Sequence, residues 1–480
     1  MTDNTQQSTG RLTDWKGHAS YYRLRLQQRI FTWVQQARDP DRQNAMHLFG
    51  DIAWFGVANG IIGTYMSVFA IRLGASKTLI GLLSSLPALI NILWQIPAGR
   101  LVQSSRNILG ITIKSLFSQR VMWLLIGLMP FLLTNYRPEA VVALVTLATL
   151  PAAVGGLAFT TLFANSVTAE ERGGIASIRN MLLALTSMTS VLVAGWLLNV
   201  IAFPYNYQIF FVVAFAASMA SLYHVKKIEP NTKTPETVPA VEGLAAPPER
   251  PVSLKERLHR VWASLSEVKA FRDLTLGSFA YNWGMSFPAA LYGLYRVNTL
   301  GASDAWLGLL SMAMSATQMV MFIVWGRVLK RSGSRWLTLL GAFGLAGFPL
   351  LTGLSPSVEP LLLVAIWGGF FNTAYSIGRF DAFMAACPAN RLPTLTAFYN
   401  VLMNVTAFVA PLLGTTVANW IGLRYALILG GVLRILGALI MSRLTFGSPP
   451  TGGPGYFRRQ IHFYTLLVKD RLQRRQSRRG

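Results

Sequence analysis

Apolar residues run in blocks of about twenty along most of this chain, separated by short polar stretches. In the first half the blocks lie at roughly 50–72, 79–99, 109–133, 140–165, 181–203 and 206–225. In the second half they lie at about 275–297, 305–326, 336–354, 361–385, 399–419 and 423–444. As a helix, a block of this length crosses the roughly 30 Å hydrocarbon core of a bilayer. Strands of membrane barrels are about half as long. The pattern therefore predicts an all-α integral membrane protein with twelve transmembrane helices, since helices satisfy their own backbone groups inside lipid.

The positions between and within the blocks repeat. Leu73-Gly74-Ala75-Ser76 followed by Gly81-Leu82-Leu83-Ser84 returns as Leu300-Gly301-Ala302-Ser303 followed by Gly308-Leu309-Leu310-Ser311. The offset, 300 − 73 = 227, also relates Gly99-Arg100 to Gly326-Arg327. Two pseudo-symmetric six-helix bundles from one duplicated unit are expected, with a substrate path along the seam between them.

Composition and charge add orientation. Hydrophobic residues make up 52% of the 480 residues and charged ones only 13%, about half the charged share of a soluble domain. The net charge of +24 invites a nucleic-acid reading, but its distribution argues for a membrane one. With the N-terminus inside, inner loops hold Arg100, Arg106, Arg172, Arg179, Lys226, Lys227, Arg327, Lys330, Arg331, Arg335 and Arg391. Outer loops hold little beyond Lys77, Arg137 and Arg424. This asymmetry places both termini in the cytoplasm of a plasma-membrane protein and the basic excess against anionic lipid, with no nucleic acid as partner. The lone Cys387 excludes an intramolecular disulfide and fits no metal-site spacing, so no metal or cofactor is expected. The first apolar run starts near Leu48, too late for a signal peptide.

The expected domains are a cytoplasmic tail with an interfacial amphipathic helix (1–47), an N-terminal bundle (48–226), a cytoplasmic linker (227–272), a C-terminal bundle (273–446) and a basic tail (447–480). The linker is rich in proline at its front. Its Ser253 and Glu256 form a capping-box pattern that starts an amphipathic helix towards Phe271. Both tails interleave basic and apolar residues, as interfacial anchors do.

The loop Gly326-Arg327-Val328-Leu329-Lys330-Arg331-Ser332-Gly333-Ser334-Arg335 resembles the signature loop of the major facilitator superfamily, Gly-x-(Leu/Val)-x-Asp-Arg-x-Gly-x-Arg. Its first-half copy, from Gly99 and Arg100 to Arg106, is more degraded. Gly99 and Gly326 suit a tight helix exit and close backbone approach. The resemblance covers roughly 48–446, and Glu170-Glu171-Arg172-Gly173 with Arg179 also looks like the family's inner loop at that place. The family's acidic residue is replaced by Gln103 in one loop and Lys330 in the other. The charged latch that this carboxylate implies is therefore missing or built differently.

The resemblance implies a central cavity lined by helices 1, 4, 7 and 10, with contributions from 2, 5, 8 and 11. Polar and aromatic residues at those places include Asn59, Asn91, Gln95, Tyr281, Asn282, Gln318, Asn372, Tyr375, Asn400 and Asn404, the candidate substrate contacts. Tyr65, Asn165, Trp283 and Tyr292 accompany them. The offset pairs Asn91 with Gln318 (318 − 91 = 227), amides that could face each other across the cavity. A proton-coupled transporter needs a carboxylate that titrates within the membrane. Asp51, placed at the start of helix 1, and Asp381, two residues after Arg379 on helix 10, are the candidates; the alternatives are a helix-capping and a structural ion-pair role. Of the embedded cations, Lys114 can snorkel, while Arg120 and Arg434 must face protein, a cavity or an anion. Asp51, Asp381, Arg379 and Arg120 are the coupling and gating candidates. Pro87, Pro151, Pro288 and Pro411 interrupt helices and are candidates for mobility.

The function expected is secondary active transport of a small molecule by alternating access, with proton-coupled export of an amphipathic solute as the first mode. Uptake of a sugar or organic anion is its rival. A membrane-embedded enzyme and a non-transporting sensor are the alternatives from other classes. Nothing resembles a nucleotide-binding loop or a catalytic constellation, so no enzyme is expected. The expected partners are a small-molecule substrate and anionic lipids, and the expected state is a monomer.

Overall fold

The computed structural model describes residues 40–229, 268–388 and 392–447. Helices α1 to α6 are Pro40–Arg72, Lys77–Gln103, Ile108–Leu132, Arg137–Ser166, Ala169–Val200 and Tyr205–Lys226. Helix α7 comes in pieces, Lys269–Ser286 and Ala289–Leu294, closed by a π turn over Tyr295–Thr299. Helices α8 to α12 are Asp304–Ser332, Ser334–Leu354, Leu361–Ala386, Leu392–Ile421 and Leu423–Ser442. Among the described residues, eleven helices are long and apolar enough to cross a membrane; the 18-residue first piece of α7, with Lys269, Arg272 and Asp273 in its first turns, is too polar to count.

The duplication is visible in the packing. Within the first half α1 packs on α5 and α6, α4 on α2 and α3, and α3 on α6. Adding six to each number gives contacts of the second half: α7 on α11 and α12, α10 on α8 and α9, and α9 on α12. Between halves, α2 lies on α11 and α5 on α8, again a symmetric pair. The turns that enter α2 and α8 match residue by residue. Gly74 and Gly301 both have positive φ, 90° and 63°, a conformation that disfavours any residue with a Cβ. Ser76 and Ser303 then cap the following helix, accepting from the N–H of Leu79 at 3.2 Å and Trp306 at 3.4 Å.

Where the helices end departs from hydropathy alone. Helix α1 begins at Pro40, not at 50, so part of the expected 1–47 tail is helical. Its polar first turns are held by Asn44. The side-chain oxygen accepts from Glu229 N–H at 2.9 Å, and the amide donates to the Glu229 and Ser166 carbonyls at 2.7 and 3.1 Å. A like clasp closes the second half, where Asp273 at the start of α7 accepts from Thr445 N–H (3.3 Å) and hydroxyl (2.9 Å). Polar residues thus extend helices past the apolar run by bonding to chain that leaves the bundle. The expected linker helix and most of both tails, with Arg391, lie outside the described residues.

The break in α7 has a traceable cause. Pro288 has no N–H to give to the Gly284 carbonyl four residues earlier. Arg434 of α12 supplies a donor instead: its Nε lies 3.0 Å from the Gly284 oxygen. Its Nη1 donates to the Leu345 carbonyl at 3.0 Å and its Nη2 to the Tyr292 hydroxyl at 3.0 Å.

Two ends can be distinguished. The chain enters and leaves each half at what is here named the terminal end, near Asn44, Glu229, Val268 and Phe446. The turns at 73–76 and 300–303 mark the far end. At the far end one apolar cluster joins both halves: Ile61, Phe69, Ile71, Leu83 and Phe211 of the first half pack with Ala290, Leu294, Ala302, Leu307 and Val358 of the second. At the terminal end the clusters stay within one half, as with Leu48, Leu162 and Val225 in the first, and Phe271, Tyr399 and Met441 in the second.

Candidate functional site

The seam is built from the repeated residues. Gly81 on α2 and its copy Gly308 on α8 sit where the halves cross. A Cβ on Gly81 would lie 2.6 Å from the Thr415 hydroxyl of α11, and one on Gly308 would lie 3.0 Å from the Val191 carbonyl of α5. Small residues let such helices approach closely without a hydrophobic driving force. Ser311, the copy of Ser84, places its hydroxyl 3.3 Å from that of Thr64 on α1.

Charged groups reinforce the far end. Asp304, the first residue of α8, is 6% exposed. Its carboxylate accepts from the Tyr207 hydroxyl of α6 at 2.9 Å and from Arg72 of α1 at 3.4 Å. Arg72 also donates to the Ala302 carbonyl at 3.3 Å, and the Tyr65 hydroxyl donates to the carbonyls of Val191 and Asp304 at 3.0 and 3.3 Å. Lys77, the copy of Asp304 under the 227-residue offset, crosses the other seam to the Ala418 carbonyl at 3.5 Å. The sequence reading counted only Asp51 and Asp381 as embedded carboxylates and missed Asp304. The signal was its register with Lys77, two opposite charges at matched positions.

Towards the terminal end the polar candidates divide into engaged and open groups. Tyr281 is fully buried and donates to the Ala342 carbonyl at 3.0 Å, and Tyr375 packs on its ring at 4.7 Å. Asn282 donates to the Met403 carbonyl at 3.1 Å and to Thr406. Asn404 bonds back to the Asn400 carbonyl at 2.8 Å. The Tyr281 and Asn282 contacts hold helices of one half together, while the Asn404 bond stays within α11. By contrast Asn59 is exposed on α1, and a Cβ on Gly63, one turn on, would meet nothing within 4 Å. Asn91, Gln95, Gln318, Asn372 and Asn400 are partly exposed. Asn91 sits on α2, the helix that packs against α11, and Gln318 on α8, the helix that packs against α5.

Asp51 is not at a helix start. It lies inside α1, 4% exposed, where its Oδ2 accepts from Arg179 of α5 at 3.0 Å and its Oδ1 from Ser221 of α6 at 2.6 Å. Because α1 starts at Pro40, a capping role is excluded. Arg120, equally buried, donates to the Ser221 hydroxyl at 2.9 Å and to the Ser218 carbonyl. Asp51 and Arg120 belong to one network between α1, α3, α5 and α6. It ties the first half together and directs Arg120 into the bundle. Lys114 is exposed on α3, as a snorkelling lysine should be.

The second half carries cations of another kind. Among the described residues, Arg296, Arg379 and Arg434 form no ion pair. Arg434 is satisfied by carbonyls, as above. Arg379 donates to the Tyr399 hydroxyl at 2.7 Å and lies 5.6 and 5.9 Å from the ring centres of Tyr375 and Tyr399, with its buried Nε unpartnered. Asn372, Tyr375 and Arg379 share one face of α10 at helical spacing. Asp381 is partly buried beyond them on the same helix.

The Major Facilitator Superfamily sequence model matches residues 52–297 and 274–476. The chain belongs to this family. It is a family of transporters, so the protein is a membrane transporter and not an enzyme. No curated protein matches the sequence closely enough to count. Solved structures share the fold at low identity. A bacterial homolog of the human lysosomal transporter Spinster, inward-facing and unoccupied, has a TM-score of 0.65 at 11% identity, covering 85% of this chain and 97% of its own. The nucleoside transporter NupG has 0.59 at 11%, covering 84% and 98%. The human organic anion transporter MFSD10 has 0.55 at 12%, covering 84% and 100%.

The superfamily's signature loops take an unexpected form here. Gly99 and Gly326 mark neither helix exits nor close approaches: α2 runs on to Gln103 and α8 to Ser332, and a Cβ on either glycine would meet nothing within 4 Å. Gly333, at φ 76°, provides the real exit from α8. Arg100, Arg106, Arg327 and Arg331 are exposed, and Arg335 donates to the Ser442 carbonyl of α12 at 2.9 Å.

Proposed function

We propose that this transporter carries a small organic anion with an apolar part, by alternating access of its two halves, and that the described conformation is the one open at the terminal end. What supports the open terminal end is the cross-half apolar cluster and hydrogen bonds at the far end. Basic loops at the terminal end support a cytoplasmic orientation in the plasma membrane, with anionic lipid against them.

One observation carries the anionic substrate: Arg379 sits between two tyrosine rings on the face it shares with Asn372, with no carboxylate paired to it among the described residues. A guanidinium presents a planar fork of donors suited to carboxylate or sulfonate, and rings beside it favour an apolar body. That one fold relative is described as an organic anion transporter agrees with the reading but does not carry it. Proton-coupled export of a neutral amphipathic solute draws less support, since Asp51 is held by Arg179 and Ser221.

The test is flux of labelled benzenesulfonate, a permanent aromatic anion, into proteoliposomes holding the full-length protein, with uridine and glucose as neutral comparisons. Benzenesulfonate is expected to move, and Arg379→Gln to slow it by roughly 10- to 100-fold, the value of a charge-assisted contact. Flux of a neutral solute alone, or an anion flux indifferent to Arg379→Gln, contradicts the reading.

A further inference from the structure

The far end is held unequally by its two seams. On the α2–α11 side Lys77 makes one long bond to a backbone carbonyl. On the α5–α8 side the matched residue, Asp304, accepts from two helices of the opposite half, through Tyr207 and Arg72, while its own carbonyl accepts from Tyr65. The titratable and charged groups facing it are therefore Arg72 and Tyr65 on α1 and Tyr207 on α6. Helix α5 presents Gly195 and Val191 there, neither of which ionises. Asp304 also stands in the first turn of α8, where the helix dipole favours a negative charge. Its position is fixed twice over, by its own helix and by the opposing half.

We propose that Asp304 is the positioning residue of the far-end gate: a single carboxylate that binds the first half to α8 and must release Arg72 and Tyr207 whenever the passage opens at that end. The inference rests on the alternating-access reading. A buried carboxylate stripped of hydrogen-bonded partners is costly, so in the far-open state Asp304 must be hydrated or repartnered. The closed state is favoured while these contacts last. The duplication explains the device: matched positions of the two copies came to carry opposite charges, and the copy bearing the carboxylate became the hub.

The test is double electron–electron resonance on the full-length protein with Cys387→Ser, labelled in one sample at Asn135→Cys and Glu359→Cys across the far end. A second sample carries Arg106→Cys and Arg331→Cys across the terminal end. In Asp304→Asn the long-distance population at the far end is expected to rise by at least about tenfold, with a matching rise of short distances at the terminal end. Tyr207→Phe and Arg72→Gln should each shift it in the same direction, and Lys77→Gln should shift it least. If Asp304→Asn does not fold, Tyr207→Phe and Arg72→Gln decide alone. Unchanged distances in these variants, with only a loss of thermal stability, would overturn the proposal and leave Asp304 a structural residue. Failure of the underlying reading looks different: a single state at both ends in the unsubstituted protein, whatever the variant does.

Discussion

At the scale of single residues, buried polar groups divide into those that hold helices together and those left for a guest. Asp51 is of the first kind. Removing one member of a buried ion pair leaves the other charge uncompensated, at a cost of about 3–5 kcal/mol. Asp51→Asn is expected to lose stability of that order in thermal unfolding, and adding Arg179→Gln to recover part of it; a silent Asp51→Asn would refute the structural role. Arg434 meets four acceptors on α7 and α9 with a rigid fork, which a single ammonium cannot do. Arg434→Lys should therefore be nearly as destabilising as Arg434→Met, and a fully stable lysine variant would show that charge alone matters. Cys387, at the end of α10, has its thiol pushed up to about 11 by burial. The reactive species is the thiolate, so maleimide labelling should be slow near neutral pH and climb as the pH rises through that value.

At the scale of elements, the repeated words of the sequence mark the seam. Gly74 and Gly301 make the turns, Ser76 and Ser303 the caps, and Gly81 and Gly308 the crossings. A methyl at Gly308 would lie 2.6 Å from the Tyr65 hydroxyl and 3.0 Å from the Val191 carbonyl. Gly308→Ala should cost about 1–3 kcal/mol, as overpacking does, whereas Gly63→Ala, facing open space, should cost far less. Equal thermal shifts would contradict the crossing. Twelve helices, their duplication and the basic end were legible in the sequence because hydropathy, spacing and charge are local properties. Helix ends were less so: Asn44 and Asp273 extend α1 and α7 by bonds to distant chain, which no window of hydropathy records. The partners of a side chain were least legible. Tyr281 and Asn282 read as cavity residues by their helix, yet rotation about the helix axis turns them into the bundle. Asp304 was passed over because it stands at a loop boundary, and only the tertiary fold brings Arg72 and Tyr207 to it.

At the scale of the molecule, the two halves share an apolar cluster and a set of hydrogen bonds at the far end. Each has its own ionic or carbonyl-bonded network: Asp51, Arg179, Ser221 and Arg120 in the first, and Arg434 with the broken α7 in the second. Strong contacts within halves and separable ones between them are what a rocking mechanism requires. Thr64 and Ser311 face each other across the seam with hydroxyls 3.3 Å apart. The most direct test fixes that contact: Thr64→Cys with Ser311→Cys, in a Cys387→Ser background, oxidised to a disulfide and assayed for benzenesulfonate flux before and after reduction. Flux should vanish when the far end is bridged and return when the bridge is reduced. Undiminished flux through the bridged protein would mean that the halves do not part there.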